Sequence, residues 1–330
     1  MDRARVEKIL SQFPEKTILI VGDVMLDEFI WGKVGRISPE APVPIVEVIN
    51  ETYKLGGAAN VAANIRELGG KPIPIGVVGK DETGDRLLGL LKEAGIEAFA
   101  VARDDRPTTL KTRIIAHNQQ VVRADWESRE PLSPQLNLAL ATAFSKYLPA
   151  AGAVIVSDYN KGVANRELLS VILPKAKAAN VPVFLDPKVY SADYYRPITV
   201  ITPNQREAEL MTGVAITDQG TLEDAGQALL EKFDCEYALI TCGEEGMALF
   251  EASVSHHLPT FAREVFDVSG AGDTVIASLA LSRAAGATME EAATLANHAA
   301  GIAVGKVGTA TVTREELLAD FESRNAHSAG

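Results

Sequence analysis

The sequence predicts an α/β protein: a mostly parallel central sheet with helices on both faces, and a small β-sheet lid projecting from it. Three observations lead there. Strand-like apolar runs alternate with helix-period segments along most of the chain, the order that βαβ units produce. The runs AVIVSDY (153–159), VPVFLDPK (181–188) and ITVITPN (198–204) are apolar until they end in polar residues, as strands covered on both faces are. Two long segments, 28–54 and 98–127, break the alternation with β formers and turns and little helical period.

The elements follow in order. Residues 1–16 read as a charged amphipathic helix without the apolar region of a signal peptide. TILIVGDVML (17–26) is a β-branched run carrying Gly22 and Asp23. Segment 28–54 is the first part of the lid. NVAANIREL (60–68) puts Val61, Ile65 and Leu68 on one helical face. A strand at 71–79 and a helix at 82–96 come next, and 98–127 completes the lid. SPQLNLALATAFSKYL (133–148) opens with Ser133 at the N-cap position and Pro134 after it. The three apolar strands then alternate with helices, and TCGEEGMALF (241–250) reads as strand, tight turn and strand. A strand at 261–266 leads into the glycine turn discussed below. The core is therefore 1–27, 55–97 and 128–330. Ligands of such sheets sit beyond the carboxyl ends of the strands, which carry Asp23, Asp27, Asp158, Asp186, Lys188, Asn204 and Glu207.

Composition narrows the function classes. Of 330 residues, 47% are apolar and 23% charged, ordinary for a globular protein. A net charge of −12 argues against non-specific nucleic-acid binding. The two cysteines, Cys235 and Cys242, form neither a disulfide framework nor a zinc pattern and suit a reducing cytosol. No apolar run reaches transmembrane length, so a cytoplasmic protein without a membrane partner is expected.

The chemistry-bearing motifs each have a plainer reading beside them. DVSGAGDTV (267–275) places Gly270, Ala271 and Gly272 directly before Asp273 at the mouth of a helix. Unpaired N–H groups there, with the helix dipole, would hold an anion; a tight turn needing glycine is the alternative. No G-x-x-x-x-G-K-[ST] occurs, and Val275 stands where a G-x-G-x-x-G needs its third glycine. Gly56, Gly57 and Asn60 mark a close-approach turn or simple helix packing. Asn204-x-x-Glu207 is a capping pattern, or a pair that orders water around Mg²⁺. His256 and His257 lack metal-ligand spacing, and His298 reads as an ordinary helix histidine.

In combination and order, Asp27, the GG-x-x-N turn, N-x-x-E and GAGD resemble the ribokinase-like sugar kinases, also called PfkB carbohydrate kinases, over essentially the whole chain. Segments 22–48, 118–127, 157–163, 186–188 and 304–313 are similar to bacterial D-glycero-β-D-manno-heptose-7-phosphate kinases. The resemblance implies a ribokinase-like fold and a kinase using ATP and Mg²⁺ on a small sugar phosphate. The product would be heptose 1,7-bisphosphate, made at the anomeric O1 for ADP-heptose and the lipopolysaccharide core. Alternatives are another PfkB kinase, acting on ribose, fructose or a hexose phosphate, or a non-catalytic sugar-phosphate sensor. The chain carries no H-x-G-H, so a separate nucleotidyltransferase is expected.

Residue by residue, the resemblance makes Asp273 the catalytic base, with Gly270, Ala271 and Gly272 holding the transferring phosphoryl charge. At a helix N-terminus, Asp273 is expected to be ionised and weakly basic. Asn204 and Glu207 would organise Mg²⁺ through water, with Gln205 and Arg206 near the nucleotide. Thr241, Gly243 and Gly246 match the region of its phosphates and ribose, and His298 falls near the adenine. Asp27, Gly56, Gly57, Asn60 and Asp158 form the sugar side. The family's monovalent cation, K⁺, would lie near Asp267, Ser269 and the 306–310 loop; Ser269 stands where family members commonly carry Thr. A substrate phosphate needs a cationic clamp, for which Arg36, Arg113, Lys161 and Lys188 are candidates. The lids, with free faces and edges, are expected to pair two copies into a homodimer.

Overall fold

Apolar residues at successive positions of a strand point to opposite faces, and the first strand shows what this does for the whole protein. In β1 (Thr17–Gly22), Ile18 and Ile20 enter one core while Leu19 and Val21 enter another. The structure is a computed structural model describing all residues except Asn118, Ser253, 262–264, Val307 and 329–330; for 190–192 and 324–328 it describes the backbone alone.

The remaining elements follow β1 and the N-terminal helix α1 (Arg3–Gln12). They are β2 (Val24–Ile37), β3 (Pro44–Gly57), α2 (Ala58–Glu67), β4 (Lys71–Gly79), α3 (Glu82–Glu93), β5 (Val101–Asp104), β6 (Leu110–Ala116) and β7 (Gln119–Trp126). Then come α4 (Pro134–Tyr147), β8 (Ala151–Ser157), α5 (Arg166–Ala178), β9 (Val183–Asp186), β10 (Val200–Ile201), α6 (Gln205–Thr212) and α7 (Gln219–Phe233). The chain closes with β11 (Tyr237–Thr241), β12 (Met247–Glu251), β13 (Val254–Leu258), α8 (Ala271–Ala284), α9 (Met289–Ala303) and α10 (Arg314–Ser328).

The large sheet has nine strands in the order β13-β12-β11-β10-β9-β8-β1-β4-β5. Neighbours from β5 to β11 pair in parallel, and β12 and β13 close one edge antiparallel. One face packs against α1, α2, α3, α8, α9 and α10, the other against α4, α5, α6 and α7. This is the doubly covered parallel sheet that the apolar strands predict. The caps agree with the sequence too: Ser133 Oγ accepts from Leu136 N at 3.2 Å to start α4.

The second sheet has four strands in the order β3-β2-β6-β7. Its limits differ from the expected lid. β2 begins at Val24 and β3 runs to Gly57, so the lid strands reach deeper into the core than 28–54. Segment 98–127 divides: β5 pairs Val101–Asp104 with Gly76–Gly79 and belongs to the large sheet, while β6 and β7 belong to the small one. Strand propensity alone does not say which free ladder a segment will join. The strand expected at 261–266 lies partly outside the described residues, and Phe261, Val265 and Phe266 are not in a strand.

Asp23 joins the two sheets. It sits between β1 and β2, 2% exposed, and its carboxylate accepts from the N–H groups of Tyr159 (2.9 Å), Lys161 (3.0 Å) and Val163 (3.0 Å). The loop after β8 is thereby hung from the point where the small sheet departs.

Candidate active site

The site lies at the carboxyl ends of the parallel strands, under the small sheet. Its floor is the N-terminus of α8. Gly270 caps that helix at φ +80°, a conformation that L side chains resist. Ala271 N–H bonds Val268 O at 3.2 Å, and no side chain caps the helix. A Cβ on Gly272 would meet nothing within 4 Å, so this turn opens onto free space. These features fit an anion cradle made of N–H groups and a helix dipole.

Asp273 lies at the cradle's edge, 3% exposed. Asn60 Nδ2 donates to its Oδ2 and Tyr159 Oη to its Oδ1, both at 2.8 Å. Burial raises its pKa to about 6, and nearby Asp27 adds to the rise; the bonds from Asn60 and Tyr159 and the charge of Lys111 oppose it. Asp273 is therefore a stronger base than its helix position alone predicts, because desolvation outweighs the dipole.

The roof is one face of the small sheet. Register places Lys54, Asp27, Lys111 and Asp125 in a row across its four strands, and Phe29, Arg113 and Arg123 in the next. Arg113 pairs with Asp27 at 2.5 Å, and a Cβ on Gly56 would lie 2.6 Å from Asp27 Oδ2, so only glycine permits this approach. Lys54 Nζ reaches down to Thr309 O at 3.3 Å. Lys111 differs from its neighbours. Among the described residues no carboxylate lies within ion-pair distance of it; its ammonium sits 4.9 Å from the Tyr159 ring centre. Burial lowers its pKa.

Several residues expected on the sugar side also hold the scaffold. Asp158, 1% exposed, accepts from Asn160 N at 2.6 Å and from Tyr195 Oη, so its oxygens secure the loop. Asn60 is committed to Asp273. Gly57 caps α2 at φ +55°. Lys161 pairs with Glu127 at 2.6 Å. Arg36 is exposed opposite Ile45 near the outer end of β2, roughly 30 Å along the strand from Asp27 at its usual rise, and is not part of this chain's site.

At Asn204 and Glu207 the capping box is fully formed: Glu207 N to Asn204 Oδ1 is 2.9 Å and Asn204 N to Glu207 Oε2 is 3.1 Å. Lys188 holds the remaining oxygen, Oε1, at 2.5 Å. Beside them, Asp186 has no hydrogen bond to its carboxyl group among the described residues. Burial raises its pKa to about 8; Lys188 lowers it, and Asp273, Glu207 and Asp158 raise it. Both Glu207 oxygens are thus engaged, which leaves Asp186 as the carboxylate able to face a Mg²⁺ ion that keeps several of its waters.

An apolar cavity of about 370 Å³ opens beside the cradle, lined by Thr241, Gly243, Gly246, Ala271, Gly272 and Asn297 among others. Its size suits a nucleoside. His298 is not in its lining. That ring is 3% exposed, stacked on Phe261 at 3.9 Å and bonded to Asp320 at 2.7 Å, so it packs α9 against α10. Asn297 lines the cavity instead, its Nδ2 donating to Pro259 O at 2.7 Å; one residue turns a helix position by about 100°. Gln205 lines an adjoining cavity of about 840 Å³, and Arg206 is exposed. Asp267 bonds Ser269 N (2.9 Å) and Gly308 N (3.0 Å), tying the cradle to the loop that follows α9. Val307 of that loop lies outside the described residues. Sequence reasoning missed Tyr159, Lys111, Lys54 and Asn297. Only Lys111 left a signal, two residues before Arg113 in a β segment and therefore on the same face.

The sequence profile described as pfkB family carbohydrate kinase matches residues 15–316. The chain belongs to the pfkB family of carbohydrate kinases. As a pfkB enzyme it is a sugar kinase, and its curated relatives are alike along nearly all of this chain. It is 46% identical over 320 residues to the bifunctional protein HldE of Pelobacter propionicus, covering 96% of this chain and 66% of that one. The HldE of Wolinella succinogenes is 44% identical over 94% of this chain and 65% of its own. This pfkB chain spans about two thirds of the length of these relatives. Among solved structures, Arabidopsis thaliana ribokinase with ribose and ATP superposes with a TM-score of 0.75 at 20% identity, over 93% of this chain and 99% of that one. Escherichia coli phosphofructokinase-2 with potassium gives 0.77 at 18% identity, over 93% and 98%. These two show the ribokinase-like fold. No helix among the described residues is long and apolar enough to cross a membrane.

Proposed function

We propose that this pfkB kinase transfers the γ-phosphoryl group of ATP to the anomeric O1 of D-glycero-β-D-manno-heptose 7-phosphate, giving the 1,7-bisphosphate. The observation that carries the phosphate-bearing substrate is Lys111, a cation without a carboxylate partner among the described residues, on the roof beside Arg113 and close enough to Asp273 to lower its pKa. A second phosphate on the sugar would supply the missing anion. The heptose itself rests on the segments that resemble heptose-phosphate kinases and on the 46% identity to HldE.

In this reading Asp273 orients the sugar hydroxyl and receives its proton as the new P–O bond forms. The N–H groups of Gly270 and Gly272 and the dipole of α8 stabilise the charge on the transferring group, the Ala271 N–H being held by Val268 O. The nucleoside occupies the apolar cavity. Asp186 would hold Mg²⁺ through water, where it would neutralise phosphate charge, with Glu207 beside it keeping Lys188 in place. K⁺ at the Asp267 turn would rely on main-chain carbonyls, since both oxygens of Asp267 already accept N–H groups. The small sheet would pair with that of a second copy: Ile49 and Trp126 are 63% and 55% exposed on strands at its two edges. A cytoplasmic location completes the proposal.

The test is a panel of acceptors at fixed ATP: heptose 7-phosphate, heptose, ribose, fructose and fructose 6-phosphate. The proposal expects heptose 7-phosphate to give the highest kcat/KM. Equal values for heptose and its 7-phosphate would refute the clamp, and a higher value for another sugar would refute the heptose.

A further inference from the structure

Each Asp273 oxygen already accepts one hydrogen bond, Oδ2 from Asn60 and Oδ1 from Tyr159. A sugar hydroxyl must come within about 3 Å of one of these oxygens to hand over its proton. With Asp273 only 3% exposed, something must move. Asn60 is poorly suited to do so. It lies within α2, 2% exposed, its carbonyl groups face Asn64 Nδ2, and its amide lies against Gly270, where a Cβ would approach it to 2.9 Å.

Tyr159 is placed differently. It stands on the loop between β8 and α5, next to Asn160 at φ +58° and near Gly162 at φ +101°. Its backbone is fixed through Asp23, so its side chain can move without the loop. Its phenol is an O–H donor to Oδ1, the same role a sugar hydroxyl must play. We propose that Tyr159 is a place-holder for the acceptor, occupying Asp273 Oδ1 in the free enzyme and yielding it to the sugar hydroxyl. This rests on the reading of Asp273 as the base.

Asp186 is one of the carboxylates whose charge acts on Tyr159, and its carboxyl group has no hydrogen bond among the described residues. The ring stays against the ammonium groups of Lys111 (4.9 Å) and Lys188 (5.5 Å). No covalent bond changes in this step; one hydrogen bond to Asp273 is exchanged for another. Until a sugar arrives, water is kept from the base and ATP is protected from hydrolysis. Tyr159 thus helps select an acceptor that carries a hydroxyl and fills the phenol's place.

Tyr159→Phe tests this in the full chain, because it keeps the ring and leaves room for one oxygen at Oδ1. Three readouts follow, with whichever sugar the acceptor panel shows to be used. The sugar KM falls, by up to about tenfold, because no phenol bond has to be broken. The acid limb of kcat/KM, which reports the free enzyme, moves up by about one pH unit, because the carboxylate loses a donor that favours its charged form. Sugar-free ATP hydrolysis rises several-fold. A KM that stays or rises, an acid limb that stays in place, or unchanged hydrolysis overturns the proposal. The charged groups that face Asp273 are Asp27 on β2, Lys111 on β6 and Asp186 at the end of β9, and all three are kept in the variant. Asp273→Asn run in parallel separates the two failures: near-normal turnover there removes the base itself, whatever Tyr159 does.

Discussion

Replacing Lys111 by methionine should separate substrate recognition from stability. The ammonium is half-buried, its pKa is lowered by burial, and no carboxylate pairs with it among the described residues. A lysine whose folded pKa lies below its unfolded value binds its proton less tightly when folded. At neutral pH, below both values, its charge therefore costs stability. Methionine keeps most of the length without the charge, so Tm should hold or rise. Catalysis should move the other way. A charge-assisted hydrogen bond to a phosphate is worth about 1.5–3 kcal/mol, so kcat/KM for the sugar phosphate should fall roughly 10–150-fold. For the unphosphorylated sugar it should change little. The assay is coupled ADP release against each sugar, beside a thermal melt. An equal loss for both sugars would refute the clamp and place Lys111 at the transferring phosphoryl group. A falling Tm would refute the reasoning about its unpaired charge.

Further outcomes follow from the same geometry. Asp273→Asn should lower kcat by about 10²–10⁴-fold while nucleotide binding survives, and wild-type kcat/KM should rise with pH through about 6 as Asp273 loses its proton; a flat profile between pH 5 and 7 would contradict the base assignment. Glu207→Gln keeps the capping interaction but loses the charge facing Lys188, so the enzyme should need more Mg²⁺ with little change in Tm; an unchanged Mg²⁺ titration leaves the residue a cap only. Light scattering should find a dimer at micromolar concentration, and Ile49→Asp with Trp126→Asp should yield a monomer; a wild-type monomer would refute pairing through the lids.

The core was legible because strands such as 153–159 are apolar on both faces, a pattern few other environments produce. The glycine turn at the start of α8 was legible, but a plain tight turn carries the same residues, so its anion-holding role came only from the resemblance. The assignment of 98–104 failed for a definite reason: a four-residue strand carries too little pattern to show which of two sheets it will complete. His298 and Asn297 differ by one helix position, and no local property of the sequence tells which of them faces the cavity. Asp158 looked like a ligand because it ends a strand; the partners that fill its oxygens are contributed by Asn160 and by Tyr195, 37 residues away. Tyr159 was invisible as a partner of Asp273 because the two are 114 residues apart, and their meeting depends on Asp23 fixing the loop.

The contact from Lys54 to the carbonyl of Thr309 gives the enzyme a strut between roof and floor. One end shares a sheet row with Asp27, on the proposed sugar side; the other adjoins Gly308, which is tied through Asp267 to the glycine turn of α8. In the proposed reading, a sugar that drew the roof inward would also press on the loop tied to the α8 turn. Linkage makes such a connection symmetrical: whatever factor the sugar adds to nucleotide affinity, the nucleotide must return to the sugar. The two substrates would then bind as allies, each making the molecule readier for the other before any bond is made or broken.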